Sequence, residues 1–163
     1  MKLSAQLLQD MVQYNAPDVR RVSHALKVYG SACILGQAEH LSEQEELTLE
    51  LAAALHDIGI HQAERKYGSS AGTYQEKEGP AIARAMLQKR GVAPAAAERV
   101  CQLIGRHHTY TGIDGMDCQL LIEADFLVNV DEDSLSAEAI RSVREKIFRS
   151  ASGKALLNAL FGA

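Results

Sequence analysis

Apolar residues recur along this chain at intervals of three and four, the spacing of one face of an α-helix. One such series is Val19, Val22, Leu26, Tyr29 and Cys33, preceded by Asp18 as an N-cap. Further helices are predicted from Ser42 to Gly59, Pro80 to Arg90, Pro94 to His108, Asp117 to Val130, Ser136 to Arg149 and onward from Gly153. No long segment alternates with the period of two typical of strands, so the pattern predicts one all-α domain of about six to eight helices over residues 1–163.

The composition is that of an ordinary globular protein, with 47% hydrophobic and 23% charged residues among 163. A net charge of −4 leaves no excess of cationic side chains for nucleic-acid phosphates, so a nucleic-acid polymer is not an expected partner. No apolar run reaches the roughly 18 residues of a membrane span, and no apolar signal core follows Met1. Cys33, Cys101 and Cys118 lack a CxxC spacing and are typical of reduced thiols, so we expect a cytoplasmic protein.

Two acidic residues stand where the pattern predicts burial. Asp57 follows His56 at the end of the apolar segment 47–55, and Asp125 interrupts the apolar segment 120–128. A buried carboxylate costs several kcal/mol unless it is paired or bound to a cation. Taken singly, His56 has the alternative of a core histidine bonded to a carbonyl, and Asp125 that of an ion pair with a buried arginine.

Two further groups of histidine and basic residues are candidates for the same chemistry. His24 shares a helix face with Arg20, Arg21 and Lys27, which indicates a metal-binding histidine in a basic collar that attracts phosphate. The alternative is a solvated basic face, which we favour for Arg20. The pair His107-His108 follows Arg106 and leads into a glycine-containing loop, as a site that handles protons or phosphate would. These histidines can also complement a helix dipole.

The order His24, His56-Asp57, Asp125 resembles the H…HD…D signature of the HD-domain superfamily of metal-dependent phosphohydrolases. The resemblance covers about residues 18–130 and rests on four blocks, Arg21–Val28, Ala54–Gly59, Arg106–His108 and Glu123–Leu127. It implies an all-α fold in which His24, His56, Asp57 and Asp125 bind one divalent ion. Two imidazoles and two carboxylates suit Mn²⁺, Fe²⁺, Co²⁺ or Ni²⁺, and Mg²⁺ is also compatible.

The resemblance implies a reaction in which a metal-activated water attacks a small phosphate ester, with a nucleotide as the favoured substrate. Asp57, His107 and His108 are then the catalytic candidates, and either histidine is suited to protonate the leaving group. Arg21, Lys27 and Arg106 are the candidates for binding substrate. One alternative function is a non-catalytic helical module in signalling that binds a metal or nucleotide, and another is a di-iron oxygenase-type HD protein.

Several positions depart from the patterns of known branches. Dinuclear members have a histidine where Gln75 stands, although Glu78 offers a carboxylate and His61 a second-shell group, so the number of ions stays open. Ile60 replaces the lysine of cyclic-dinucleotide phosphodiesterases and the glutamate of deoxynucleotidases. The segment 136–163 lies outside the resemblance and either completes the core or forms a homodimer contact. Substrate specificity is expected in loops such as Lys66 to Lys77 and Thr109 to Cys118.

Overall fold

The structure is a computed structural model that describes residues 1–162. Within that range it contains nine helices and no strand. They are α1 (Leu3–Asn15), α2 (Val19–Ala38), α3 (Glu43–Leu55), α4 (Ile60–Tyr67), α5 (Gly72–Lys89), α6 (Pro94–Ile104), α7 (Met116–Glu132), α8 (Ala137–Lys146) and α9 (Ala151–Phe161). The predicted all-α class is confirmed, and the count exceeds the predicted six to eight because α1 and α4 were not anticipated.

Helix α5 begins at Gly72, well before the predicted start at Pro80. Proline is most often found in the first turn of a helix, since it lacks a backbone N–H, and this preference misplaced the boundary. Together with α4, the early start of α5 reduces the predicted loop 66–77 to residues 68–71. The chain here is mostly helical, and its helices form part of the surroundings of the histidine-aspartate pair.

Two predicted helices end earlier than expected. Helix α3 ends at Leu55, so that His56 and Asp57 lie in a four-residue turn before α4. Helix α6 ends at Ile104, so that His107 and His108 lie in the turn that follows it. Adjacent residues inside a helix diverge by about 100°, whereas a turn lets both members of a pair face one site.

The centre of the core is formed by α2, α3 and α7, which pack against one another. The three successive alanines of α3, Ala52 to Ala54, are buried and let the neighbouring helices approach closely. Helix α7 is buried over most of its surface, including Leu120 to Ile122. This burial makes α7 a central helix of the fold, even though it carries the buried acids Glu123 and Asp125.

Two glycines bring α5 against the turn that carries the histidine-aspartate pair. A Cβ on Gly59 would lie 2.6 Å from the backbone nitrogen of Gly79 and 2.9 Å from the carbonyl oxygen of Gln75. Such distances are too short for any side chain, so this approach requires glycine at Gly59. It places Gln75 beside the site described below.

The C-terminal segment packs onto the same core. Phe148 and Leu157 are fully buried, and α9 contacts both α2 and α7. Over residues 1–162, no helix combines the length and apolar character needed to cross a membrane.

Candidate metal centre and cleft

Four side chains that are distant in the sequence meet at one point between α2, α3 and α7. His24 comes from α2, His56 and Asp57 from the turn after α3, and Asp125 from α7. The Nε2 atom of His24 lies 3.2 Å from Nε2 of His56, 3.1 Å from Oδ1 of Asp125 and 3.4 Å from Oδ2 of Asp57. The structure thus brings together the four ligands that the resemblance implied.

The hydrogen bonds of the two imidazoles determine which ring nitrogen faces this point. Nδ1 of His56 donates to the carbonyl oxygen of Ala53 at 2.8 Å. Nδ1 of His24 donates to the Glu132 carboxylate at 2.9 Å. Each neutral ring therefore carries its proton on Nδ1 and directs the lone pair of Nε2 inward.

With both rings neutral, all the atoms that face the centre are hydrogen-bond acceptors. The two Nε2 lone pairs face the carboxylate oxygens of Asp57 and Asp125 at 3.1 to 3.5 Å, and all four residues are buried or nearly so. Acceptors held this close repel one another unless a cation or added protons lie between them. The residues therefore fit a divalent ion, and two nitrogens with two oxygens suit a first-row transition metal.

The same electrostatics shift the proton affinities of the metal-free site. Burial lowers the pKa of His56, but Asp57 and Asp125 outweigh it and hold that pKa well above its usual value. Burial raises the pKa of Asp57, but His56 and His107 outweigh it and hold that pKa well below its usual range. The site attracts positive charge, as protons or as a metal ion.

A second group shares Asp57. Its members Asp57, His107 and His108 have ligand atoms within 4.8 Å of one another, as do His24, His56 and Asp57. Nδ1 of His107 donates to the carbonyl oxygen of Ile104 at 2.7 Å, which leaves its Nε2 as an acceptor. This Nε2 is buried, lacks a hydrogen-bond partner within residues 1–162 and lies 3.4 Å from Oδ1 of Asp57.

Gln75 engages the remaining histidine of that group. Its amide nitrogen donates to the carbonyl oxygen of Ser70 at 2.7 Å, so its oxygen faces His108 and accepts from Nε2–H at 3.0 Å. Burial, together with His107, lowers the pKa of His108 to about 4, which makes this ring neutral near pH 7. His107 is therefore the member of the pair with a free nitrogen beside Asp57.

An open cleft of about 350 Å³ leads to the metal centre. Its walls come from α2, α7, Ile60 and the start of α5, and they include the carboxylates of Asp57 and Asp125. An ion bound at the centre would therefore be reached by a small solute from this side.

The three basic residues predicted to bind substrate have different positions. Arg21 lines the cleft, but its guanidinium makes two hydrogen bonds to the Glu64 carboxylate, at 2.6 and 3.0 Å. The ammonium group of Lys27 pairs with the Glu132 carboxylate at 3.2 Å. The Lys27 side chain is 54% exposed and does not belong to the cleft lining. Arg106 donates to the carbonyl oxygen of Gly112 at 2.6 Å and also lies outside that lining.

His61 and Glu78, the two other residues considered for a second ion, also lie outside the lining of the cleft. His61 is 3.4 Å from Asp18, in the ion network of Arg21. Glu78 accepts hydrogen bonds from Lys66 and Tyr67. Neither belongs to a group that can hold a metal among the described residues.

Sequence reasoning missed the cleft residues in the last turn of α7 and directly after it. Asn129, Glu132 and Asp133 line the cleft, and Glu132 orients His24. The signal was present, because residues four and seven positions after Asp125 share its helix face. Arg20, which we had assigned to a solvated face, lies one turn before His24 and also lines the cleft.

Comparison with known proteins agrees with this geometry. The sequence profile of the HD domain matches residues 21–150, so this chain belongs to the HD domain family, and the predicted resemblance is confirmed. No curated protein matches the sequence significantly. The fold is similar to that of a predicted HD superfamily hydrolase from an uncultured Thermotogales bacterium, with a TM-score of 0.70 and 21% identity, over 97% of this chain and 84% of the other.

Proposed function

We propose that this protein is a metal-dependent phosphohydrolase that cleaves a nucleotide or another small phosphate ester. The observation that carries the proposal is the convergence of four acceptors, His24, His56, Asp57 and Asp125, at the inner end of an open cleft. A buried site of this kind binds a cation, and its exposure to the cleft admits a small substrate.

A divalent ion held by these ligands supplies Lewis acidity for the phosphoryl group and for the attacking water. The protein's own part is to hold the ligands rigidly. The Ala53 carbonyl and the Glu132 carboxylate orient the His56 and His24 rings. Nε2 of His107, buried beside Oδ1 of Asp57, can accept a proton from water or return one to the leaving group.

The test is phosphate release from a panel of phosphomonoesters and phosphodiesters by metal-stripped protein supplied with Mn²⁺, Co²⁺, Ni²⁺ or Mg²⁺. We expect turnover that depends on the added ion and is lost in Asp57→Ala, because Asp57 belongs to both ligand groups. Equal phosphate release by Asp57→Ala would refute the proposal. A bound ion without turnover of any ester would favour a non-catalytic binding module instead.

A further inference from the structure

The walls of the cleft are unusually polar for a ligand site. Ligand pockets are mostly lined by apolar and aromatic side chains. In the described part of this chain, Ile60 is the one aliphatic side chain in the lining, and no phenylalanine or tyrosine belongs to it. Of the two imidazoles present, His24 faces the metal centre, and the His108 ring contacts His107 and Gly72. A nucleobase would find no phenylalanine or tyrosine ring for stacking.

Four polar side chains of the lining are free to contact a solute. Within residues 1–162, the side chains of Arg20, Ser70, Asn129 and Asp133 make no hydrogen bond or ion pair with other protein groups. Arg20 lies one turn before His24, and Asn129 one turn after Asp125. A guanidinium, a hydroxyl, an amide and a carboxylate therefore surround the space beside the metal ligands.

The charges of these walls limit how many phosphates a substrate can carry. Arg20 provides the one uncommitted cation of the lining among the described residues, because Arg21 is held by Glu64. Glu132 and Asp133 place two carboxylates on the α7 side, and these repel a second phosphate group. A cleft of about 350 Å³ is also at the small end of ligand sites.

We propose that the substrate of this site is the phosphomonoester of a small polyhydroxylated molecule, such as a pentose or polyol phosphate, rather than a nucleotide. This inference rests on the proposed phosphohydrolase function. In the reaction, water forms a new bond to phosphorus and the bond from phosphorus to the ester oxygen breaks. One proton of the water passes to the departing oxygen, so the products are the free polyol and inorganic phosphate.

Three of the four free groups have a specific role in this assignment. The Asp133 carboxylate accepts hydrogen bonds from hydroxyl groups, and the Asn129 amide both donates and accepts them. The Arg20 guanidinium pairs with phosphate oxygens. Hydroxyl groups satisfy these side chains in a way that the flat, largely apolar face of a base does not.

The experiment compares kcat/KM for ribose 5-phosphate, AMP and p-nitrophenyl phosphate with the Mn²⁺-loaded protein. We expect ribose 5-phosphate to exceed AMP by about tenfold or more, since AMP adds a base that must fit a small polar cleft without a phenylalanine or tyrosine ring to stack on. Turnover of p-nitrophenyl phosphate with AMP equal to or better than ribose 5-phosphate would overturn the inference and leave the phosphohydrolase function intact. Absence of turnover with all three monoesters would overturn this inference, and the panel of phosphomonoesters and phosphodiesters described above would then decide the phosphohydrolase function.

A matched pair of variants tests the hydroxyl contacts directly. Asp133→Ala should lower the ratio of kcat/KM for ribose 5-phosphate to that for p-nitrophenyl phosphate by about tenfold, because the aryl ester has no hydroxyl groups to bind. Asp131→Ala removes an exposed carboxylate two residues earlier in the chain, outside this cleft, and should leave the ratio unchanged. Equal ratios in Asp133→Ala and the wild type, with equal melting temperatures, would contradict the assignment of Asp133.

Discussion

Glu123 and Asp125 lie two residues apart on α7 and are both buried. The groups that face their carboxylates are of opposite kinds. The Glu123 carboxylate, fully buried, faces donors. It accepts hydrogen bonds from the amide of Gln119 at 2.6 Å, from the backbone nitrogens of Arg149 and Ser150 at 2.6 and 2.9 Å, and from the Ser150 hydroxyl. Asp125 instead faces the Nε2 lone pair of His24.

This difference distinguishes a structural carboxylate from a candidate metal ligand. Glu123 holds the start of α9, and the absence of a side chain at Gly153 provides the room, because a Cβ there would overlap the carboxylate. Its negative charge is stabilised by protein donors alone. Within residues 1–162, Asp125 accepts no hydrogen bond from the backbone or from a neutral donor, so its charge is balanced by protons on the histidines or by a cation. The hydrogen-bonding partners of a buried acid therefore reveal more about function than its burial does.

The largest expected effect is the loss of metal binding in Asp125→Asn. This nearly isosteric change removes one ligand charge from the centre, so Mn²⁺ affinity should fall by more than the roughly 10–100-fold typical of outer-shell changes. Titration calorimetry with Mn²⁺ measures it. If Asp125→Asn bound Mn²⁺ as tightly as the wild type does, the interpretation of Asp125 as a metal ligand would be wrong.

The matched change Glu123→Gln should leave Mn²⁺ affinity unaltered and weaken the fold. The substitution replaces one carboxylate oxygen, which accepts hydrogen bonds, by an amide NH₂ group, which would point its own hydrogens at the surrounding donors. We expect this to lower the free energy of unfolding by about 2 kcal/mol. For a chain of this length, that cost lowers the melting temperature by roughly 4–8 °C. Thermal unfolding followed by circular dichroism measures the change. An unchanged melting temperature would show that the four donors do not stabilise the fold.

A smaller effect is expected at the residue that orients His24. Glu132→Ala leaves the Nδ1 proton of His24 without its acceptor, so Mn²⁺ affinity should decrease by about 10–100-fold. The control Lys27→Ala removes the exposed partner of Glu132 and should change the affinity by about twofold at most. Equal losses in both variants would attribute the effect to general electrostatics rather than to ring orientation.

The smallest expected effect is a pH dependence of the metal-free protein. The raised pKa values of His24 and His56 contribute stability that is complete below about pH 6.5 and decreases as pH rises through the folded values. The lowered pKa values of Asp57 and Asp125 contribute stability that is complete above about pH 4 and decreases as pH falls. Metal-free protein should thus have a lower urea midpoint at about pH 8 than at about pH 6.

Added Mn²⁺ should abolish this decrease, because the ion replaces protons at the same nitrogens and binds better as they are released. Urea unfolding at both pH values, with and without Mn²⁺, makes the measurement. A metal-free midpoint that rises from about pH 6 to about pH 8 would contradict the inferred electrostatics of the centre.

Three of the four candidate ligands were readable from the sequence because they interrupt or end an apolar helical pattern, whereas His24 lies on a basic helix face and was joined to them by the HD resemblance. Asp125 stands inside such a run, and His56-Asp57 ends another. The helix boundaries were less predictable, because the preference for proline in the first turn concealed the start of α5 at Gly72. The same reasoning singled out Asp125 but passed over Glu123, because three of its four donors come from a turn more than twenty residues later in the chain.

The sequence by itself thus determined the all-α class through its periodicity, which is a local property, and the family and four candidate ligands through the resemblance that its motifs carry. The tertiary structure decided which lone pairs converge, which acid is satisfied by protein donors and which side chains remain free in the cleft. The physical reason is distance along the chain. His24 and Asp125 are 101 residues apart, and only the packing of α2 against α7 brings their acceptors to 3.1 Å.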